Sequence, residues 1–342
     1  MPKVFIPQAG RSLDVNDGQT ILLAALAAGI PYPHGCKSGR CGSCKSRLVS
    51  GEVNLLPHTP FALSPEERVD GLILACRAQP LTDATVAWLG GADEIADIPV
   101  CRFEGAIAAV EDATHDIKLI RVWLDHRDAF TFRAGQYARL FYPGAPSRDY
   151  SVASRPDEEL VEFHVRRVPE GAASQLIWAR AAIGDRVAIE GPLGSAFLRE
   201  KHSGPILGIA GGSGLAPVKA VAETALAKGM GQPIRVYFGA RSERDLYLLD
   251  RFAALTERHT NLSFVPVLSE DSGPGFRPGY VSDAVAADLG DLDGWKAYIA
   301  GPPAMVDAAG PMLLERGLRA ADIHADVFYT PEYGDRPMVT HP

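Results

Sequence analysis

The sequence predicts a chain of three modules: a small α+β module, an antiparallel β-barrel and a doubly wound parallel sheet. The first module contains a cysteine-rich segment, CKSGRCGSC at residues 36–44. From about 103 to 200, short β-type runs alternate with turn residues, which is typical of an antiparallel barrel. From about 204, strands alternate with helices, which favours a parallel sheet. The predicted boundaries are 1–90, a linker at 91–102, 103–200, 204–329 and a C-terminal tail at 330–342.

Composition and charge exclude several classes of protein. The chain has 342 residues, 46% of them hydrophobic, with a net charge of −8 and a pI of about 5.6. It therefore lacks the excess of basic residues that is typical of nucleic-acid-binding proteins. We find no signal-peptide core and no apolar run of about 18 residues that could span a membrane. The most apolar stretch, 206–227, is interrupted by Pro217, Lys219 and Glu223. We therefore expect a cytoplasmic protein with reduced thiols and without membrane or nucleic-acid partners.

The first module has clear local signals. KVFIPQAG and RSLDVND predict the two strands of a hairpin, and QTILLAALAAG predicts a short helix that ends at Gly29. In SPEER, Ser64 and Glu67 have the spacing of a capping box, with Pro65 at the first helical position. We expect a further strand to carry Cys76 in LILACRA.

Four cysteines predict a metal centre. Cys36, Cys41 and Cys44 have the spacing C-x4-C-x2-C, and Cys76 follows later, which is the pattern of plant-type [2Fe–2S] ferredoxins. Zinc is the weaker alternative, because its sites usually take two CxxC-like pairs. A disulfide is disfavoured in a reducing compartment. Cys101 stands alone, and we expect it to be a small core or linker residue.

The barrel contains a tetrapeptide suited to a flat, phosphorylated ligand. In RDYS, at 148–151, Arg148 and Tyr150 point to one face of a strand and Ser151 to the other. A cation, a ring and a hydroxyl at this spacing suit a phosphate, a flat ring system and its polar edge, although an exposed strand is the plainer interpretation. His164 and Arg166 share one face of a later strand.

A second signal follows in the barrel, where the segment GAAS at 171–174 precedes the predicted helix ASQLIWARA. The N–H groups at the start of a helix can cradle a pyrophosphate. The second signal supports the first, because both suit a flat ligand that carries phosphate groups.

The parallel sheet carries a glycine-rich turn. Gly211, Gly212 and Gly214 follow the buried strand PILGIA, at the edge where such sheets bind ligands. The turn departs from the standard dinucleotide fingerprint, because Pro217 occupies the place of the last glycine or alanine. It also lacks the G-x-S-x-G pattern, so Ser213 is not supported as a nucleophile.

The ordered set of motifs resembles a known family. CKSGRCGSC, RDYS, GAAS, GGSGLAPV, YFGARSERDLY, AGPPAM and ADVF occur in this order. They are similar to the reductase components of multicomponent oxygenases, in the ferredoxin–NADP reductase superfamily, and above all to the naphthalene dioxygenase reductase type. The resemblance covers residues 3 to 329. It implies a β-grasp-like [2Fe–2S] ferredoxin domain, an FAD-binding barrel and an NAD-binding sheet.

The resemblance also implies roles for individual residues. Tyr150, Ser151 and Phe328 would lie at the reactive face of the flavin, with Phe328 as the aromatic shield. The other flavin contacts that the resemblance implies are Arg148, Gly171, Ala172 and Ser174. His164 and Arg166 are added to the predicted cofactor contacts from their shared strand face. The predicted nicotinamide contacts are Gly212, Ser213, Gly214, Pro217, Arg241, Tyr247, Gly301 and Met305. Many relatives have a cysteine where this chain has Ala300.

The implied activity is electron transfer from NADH through FAD to the cluster and then to a ferredoxin or oxygenase in aromatic-ring oxygenation. NADH donates a hydride, an iron–sulfur cluster accepts one electron, and a flavin connects the two. Alternatives are a reductase for a deoxysugar dehydrase or a non-Rieske monooxygenase, and a non-enzymatic subunit that retains the folds.

Two charge patterns predict cofactor and partner preference. Glu243 and Asp245 lie close to where a 2′-phosphate would bind and favour NADH, whereas Arg241 and Arg244 oppose that preference. Residues 36–47 carry four basic residues and no acid, which predicts a basic rim that steers an acidic partner. The members of this rim are Lys37, Arg40, Lys45 and Arg47.

Overall fold

The structure is a computed structural model that describes residues 1–89, 98–271 and 275–328. The described residues form two compact units, 1–89 and 98–328. The first unit contains the cysteine segment, and the second contains the barrel and the parallel sheet. Within the described part of the chain, no helix has the length and apolar character needed to cross a membrane.

The first unit is a mixed five-stranded sheet with the order β2-β1-β7-β3-β5 and a separate β4-β6 pair. β1 and β7 are parallel, and the other pairs are antiparallel. This arrangement fits the expected β-grasp-like fold. The elements are β1 (Lys3–Ile6), β2 (Arg11–Asp14), α1 (Ile21–Ala27), β3 (Lys45–Ser50), β4 (Val53–Leu55), α2 (Pro65–Val69), β5 (Leu72–Leu74), β6 (Ala78–Pro80) and β7 (Ala84–Trp88).

Local signals in the sequence account for these elements. The predicted hairpin is confirmed by the β1-β2 pairing, in which Val4 lies opposite Leu13. Thr20 caps α1 by accepting a hydrogen bond from the Leu23 N–H group at 3.4 Å. The predicted capping box of α2 is also present, with Ser64 and Glu67 bonded reciprocally. Apolar residues of α1 pack on the sheet and form the core of the unit.

The barrel of the second unit is antiparallel, with the strand order β11-β10-β13-β8-β9-β12. A single bridge between Val152 and Phe163 joins the two edges and nearly closes the barrel, as predicted. Its elements are β8 (Cys101–Asp112), β9 (Ile117–Leu124), β10 (Tyr137–Phe141), β11 (Arg148–Ser151), β12 (Val161–Arg166), α3 (Ala172–Arg180) and β13 (Arg186–Leu193).

The rest of the second unit is a parallel sheet with the order β17-β16-β15-β14-β18-β19. The chain starts in the middle of the sheet and winds outward in both directions, which confirms the doubly wound prediction. Its elements are β14 (Ile206–Gly211), α4 (Leu215–Ala227), β15 (Ile234–Ala240), α5 (Leu249–Arg258), β16 (Leu262–Leu268), β17 (Arg277–Pro278), α6 (Val281–Asp288), β18 (Lys296–Gly301), α7 (Pro303–Glu315) and β19 (Ile323–Val327).

Two sequence predictions concern the ends of the modules. Strand β8 begins at Cys101, inside the predicted linker 91–102, and Cys101 is exposed on that strand. The expectation of a small core or linker residue is therefore wrong. The predicted tail, 330–342, and most of the linker lie outside the described residues.

Candidate functional sites

The four predicted metal ligands lie in two neighbouring segments of the first unit. Cys36, Cys41 and Cys44 are in the loop between α1 and β3. Cys76 lies in the turn between β5 and β6, not on a strand as predicted, because β5 already ends at Leu74. Its N–H group is 3.5 Å from the Cys44 sulfur, so the turn closes on the loop.

Backbone N–H groups point at the sulfurs. The Cys36 N–H donates to Cys41 Sγ at 3.3 Å, and the Ser38 and Arg40 N–H groups donate to Cys36 Sγ at 3.5 and 3.4 Å. Such donors stabilise thiolates, the form of cysteine that binds metal. A hydrogen bond from the Cys41 thiol, reinforced by the Ser38 and Arg40 donors, lowers the pKa of Cys36 to about 5. Four cysteines with inward-pointing donors fit a [2Fe–2S] cluster.

Glycine is required in this loop. Gly39 has φ +79°, and a Cβ there would lie 2.7 Å from Cγ of Arg77 and 3.0 Å from Cβ of His58. Gly42 has φ +75°. L-residues rarely adopt this region of backbone conformation, so both glycines allow the tight path that turns the N–H groups inward.

The predicted basic rim is partly neutralised. Lys45 Nζ lies 2.6 Å from a carboxylate oxygen of Glu67, the capping-box residue of α2, and only 12% of the Lys45 side chain is exposed. Arg47 donates to the carbonyl of Asp70 at 2.8 Å. Lys45 therefore adds little net charge to the predicted rim. Lys37 and Arg40 are the members of the rim that lie between the cluster cysteines.

Strand β11 presents the RDYS residues as the pattern predicted. Arg148 is exposed, Tyr150 is half-buried and Ser151 is buried. Burial raises the pKa of Tyr150 to about 12, so its hydroxyl stays protonated at neutral pH. Ser151 Oγ donates to Oδ2 of Asp326 at 2.9 Å. Asp326 lies on β19, so this hydrogen bond joins the barrel to the parallel sheet.

The GAAS segment forms the first turn of α3 rather than a loop before it. Gly171 is the N-cap, and Ala172 is the first helical residue. Ser174 Oγ accepts from the Val168 N–H group at 3.1 Å and donates to the Gly171 carbonyl at 3.2 Å. A Cβ on Gly171 would lie 2.6 Å from that hydroxyl, so the turn requires glycine. The free N–H groups of this helix start fit an anion such as pyrophosphate.

His164 and Arg166 have different surroundings in the structure. The His164 side chain is fully buried, with Nδ1 2.9 Å from the Tyr247 hydroxyl and Nε2 3.2 Å from Glu162. Arg166 is partly exposed and bonds to Asp116 at 2.8 Å. Its guanidinium lies beside the glycine turn, 3.4 Å from where a Cβ of Gly212 would be.

The glycine-rich turn lies at the carboxyl ends of β14 and β18. A Cβ on Gly214 would lie 2.0 Å from the Ala300 carbonyl oxygen, and one on Gly211 would lie 2.7 Å from Sδ of Met305. Gly301 also contacts Met305, and its carbonyl accepts from the Phe328 N–H group at 2.9 Å. Because these glycines have no Cβ, the turn, β18 and the residue after β19 can lie close together at one edge of the sheet. Ligands bind at this edge in such folds.

Of the residues predicted on the adenosine side of the site, some are exposed and others bond within the protein. Arg241 is exposed at the end of β15, as a ligand contact requires, and Glu243 is exposed near it. Asp245 instead caps the turn, with Oδ2 accepting from the N–H and hydroxyl of Ser242 at 3.0 and 2.9 Å. Tyr247 is only 5% exposed, and its hydroxyl faces His164 and the glycine turn.

Sequence reasoning missed Asp326, which bonds to Ser151, and Lys219, a buried cation that contacts the carbonyl of Ala153 at 2.9 Å. A signal existed for Lys219, because a charged residue interrupts an otherwise apolar helix. Asp326 lies in the ADVF motif, but that motif does not indicate its partner, which is 175 positions away.

Comparison with family models covers all three modules. A 2Fe-2S iron-sulfur cluster binding domain matches residues 4–81, an oxidoreductase FAD-binding domain matches 104–197, and an oxidoreductase NAD-binding domain matches 209–310. A similar protein from Ralstonia sp, the ferredoxin–NAD(P)+ reductase component of naphthalene 1,2-dioxygenase/salicylate 5-hydroxylase systems, is 39% identical over 93% of this chain and 95% of its own length. This chain belongs to the reductase components of multicomponent oxygenases. The predicted family and its [2Fe–2S], FAD and NAD-binding domains are thereby confirmed.

Other relatives of this reductase agree in architecture. The reductase subunit of an aromatic O-demethylase from Amycolatopsis sp. is 40% identical, with 93% of this chain and 96% of the relative covered. The reductase component of phenol 2-monooxygenase from Pseudomonas sp. is 38% identical, with 96% and 94% covered. The crystal structure of an Amycolatopsis cytochrome P450 reductase is 38% identical and matches 96% of this reductase and 99% of that chain with a TM-score of 0.75.

Proposed function

We propose that this reductase transfers electrons from NADH through FAD to its [2Fe–2S] cluster, and then to the ferredoxin or terminal oxygenase of an aromatic-oxidising system. The observation that carries the proposal is the hydrogen bond between Ser151 and Asp326. It sets the candidate flavin strand of the barrel beside the edge of the sheet that carries the glycine turn. FAD, when bound, supplies the conversion between the two electrons of a hydride and the single electrons that a cluster accepts.

On the barrel, we propose that Arg148 and the first turn of α3 hold the flavin phosphates. Arg148 is exposed, and the helix start offers the N–H groups of Ala172 and its neighbours, with Gly171 and Ser174 shaping the turn. Tyr150 is half-buried and offers a ring face, and Ser151 offers a hydroxyl that Asp326 already orients. These groups bind and orient; none of them has to act as a nucleophile.

On the parallel sheet, we propose that the glycine turn and the loop after β18 bind the nicotinamide half. The contacts that support this are those of Gly211, Gly214 and Gly301 with β18 and Met305. Phe328 begins at the same edge, through its backbone bond to Gly301, and fits the role of a flavin-shielding ring.

On the adenosine side, two carboxylates favour NADH over NADPH. Glu243 is exposed, and its N–H group donates to the carboxylate of Asp271, so both acids lie near Arg241. A 2′-phosphate would meet this negative charge. Asp245, which the sequence suggested for this role, is engaged in its cap.

The acceptor is proposed from the relatives. Those named for naphthalene dioxygenase/salicylate hydroxylase, aromatic O-demethylase and phenol monooxygenase systems are 39%, 40% and 38% identical. The three values do not separate the oxygenase types, but all three systems act on aromatic compounds by name. We therefore propose an acceptor protein in an aromatic oxygenase system without assigning its type.

An anaerobic titration tests the proposed path. NADH added to the holoprotein should bleach both the flavin and the cluster absorbance, with an end point at about 1.5 equivalents, because FAD takes two electrons and the cluster one. NADPH should give a lower kcat/KM than NADH. A cluster that stays oxidised in excess NADH, or a preference for NADPH, would contradict the proposal.

A further inference from the structure

A buried lysine connects the helix after the glycine turn to the barrel. Lys219 of α4 is 1% exposed, and its Nζ donates to the carbonyl of Ala153 at 2.9 Å. The same nitrogen lies 3.2 Å from Glu162 of β12 and 3.6 Å from Glu223 of α4. Ala153 follows Ser151 by two residues, so the contact fixes the end of the candidate flavin strand relative to α4.

A second branch leads from the same carboxylate to the glycine turn. Glu162 Oε1 is 3.2 Å from Nε2 of His164, and Nδ1 of His164 is 2.9 Å from the Tyr247 hydroxyl. That hydroxyl lies 3.4 Å from the carbonyl of Gly212, the first residue of the turn. The chain of contacts therefore runs from the barrel to the glycine turn through side chains that are all buried.

The hydrogens of this chain can be assigned from its chemistry. Burial lowers the pKa of His164, so the ring is neutral at pH 7. Although burial alone would raise it, the hydrogen bond from His164 and the charge of Lys219 hold the pKa of Glu162 below its usual range. An ionised carboxylate only accepts, so His164 carries its hydrogen on Nε2 and accepts on Nδ1. The hydroxyl hydrogen of Tyr247 is then shared: it is donated to Nδ1 of His164 at 2.9 Å and, more weakly, to the Gly212 carbonyl at 3.4 Å.

We propose that Lys219 and the Glu162–His164–Tyr247 chain are positioning residues. They hold the glycine turn against the candidate flavin strand β11 at the separation that hydride transfer requires. The inference deepens the proposed function and rests on it. None of these side chains has to touch either cofactor. A displacement of about 1 Å between reacting groups can cost as much as about a hundredfold in rate, so loss of one link should be measurable.

Tyr247→Phe removes the hydroxyl and retains the ring that packs on Phe238 and His164. Tyr237→Phe is a matched control, because its buried hydroxyl donates to Asp288 at 3.0 Å, on another helix. In the holoprotein, Tyr247→Phe should lower the limiting rate of flavin reduction by NADH about tenfold or more. It should also weaken the long-wavelength charge-transfer absorbance of the nicotinamide–flavin complex, with NAD+ affinity changed less than about twofold. The control should match wild type.

A second variant tests whether the links act as one unit. His164→Gln can place its amide N–H where Nε2 donates to Glu162, but it has no acceptor at the Nδ1 position that faces Tyr247. The double variant His164→Gln/Tyr247→Phe should reduce flavin no more slowly than the slower single variant. Additive losses, or equal rates and charge-transfer absorbance in Tyr247→Phe and Tyr237→Phe, would overturn the inference and leave the network a purely structural one.

Nuclear magnetic resonance of the histidine ring nitrogens gives a result that does not depend on turnover. His164, assigned by its loss in His164→Gln, should show the Nε2–H tautomer, and NAD+ should shift its Nδ1 resonance in wild type. An Nδ1–H tautomer, or no response to bound NAD+, would contradict the positioning role. A wild-type protein that NADH does not reduce, but whose His164 responds to NAD+, would refute the proposed function and not the link between turn and barrel.

Discussion

Replacement of Gly214 by alanine tests whether the close approach of the glycine turn to β18 is needed. Gly214 has φ −62°, which alanine adopts without strain, so the effect of the new methyl is purely steric. That methyl would lie 2.0 Å from the carbonyl oxygen and 2.4 Å from the carbonyl carbon of Ala300. Both are backbone atoms of β18, which pairs with β14 and β19 on either side and cannot move freely.

The turn therefore has to move. Overpacking of this kind costs about 1–3 kcal/mol. In a unit of about 200 residues each kcal/mol lowers the melting temperature by about 2–4 °C, so we expect a decrease of about 2–12 °C. NAD+ affinity should fall as well, because the turn no longer meets β18 in the same place.

Thermal unfolding of the FAD-loaded protein and calorimetric titration with NAD+ measure the two effects. Gly231→Ala is the control, since Gly231 lies in the same module, has no positive φ and has no heavy atom within 4 Å of the added methyl. It should match wild type in both measurements. Wild-type stability and affinity in Gly214→Ala would refute the claim that the turn and β18 are in tight contact.

Two further predictions concern charge. Burial lowers the pKa of His324, which stacks on Tyr298, so below about pH 6.5 the unfolded chain binds a proton that the folded chain does not. The unfolding free energy should therefore fall with decreasing pH, by up to about 1.4 kcal/mol per pH unit. In chemical denaturation from pH 7 to 5.5, His324→Phe should show a shallower slope of unfolding free energy against pH. An unchanged slope would contradict the burial of a neutral ring. Lys37→Glu should slow reduction of the acceptor protein at low ionic strength but leave ferricyanide reduction unchanged; equal rates with the acceptor would remove Lys37 from the docking surface.

The three modules could be predicted because each has its own periodicity. Alternating short runs gave the barrel, and regular exchange of strands and helices gave the parallel sheet. The cysteine ligands could be predicted for a different reason: three of them lie in one loop, and their spacing is itself the signal. The turn position of Cys76 could not be predicted, because LILACRA has the pattern of a continuous strand, whereas in the structure the strand ends at Leu74 and the following turn closes on Cys44.

The contacts between modules could not be predicted. Ser151 and Asp326 are 175 positions apart, and the pairing of His164 with Tyr247 joins a barrel strand to a segment before α5. In the sequence, His164 reads as one more residue on the ligand face of a strand. Its neighbours in space, which decide whether it meets ligand or protein, come from parts of the chain that carry no local mark of the contact. The pairing of Lys45 with Glu67 escaped prediction for the same reason.

The central claim is that the cluster is the point at which electrons leave the reductase, and Cys41→Ser tests it most directly. The variant should lose or weaken the cluster, because one of four thiolates is gone, but retain FAD, since the FAD-binding match lies at 104–197, far from Cys41 in the chain. With NADH, it should still reduce ferricyanide, which can accept electrons directly from flavin, and lose most reduction of cytochrome c and of the acceptor protein. Loss of all three activities in a folded, FAD-bound variant, or retention of all three, would contradict the account.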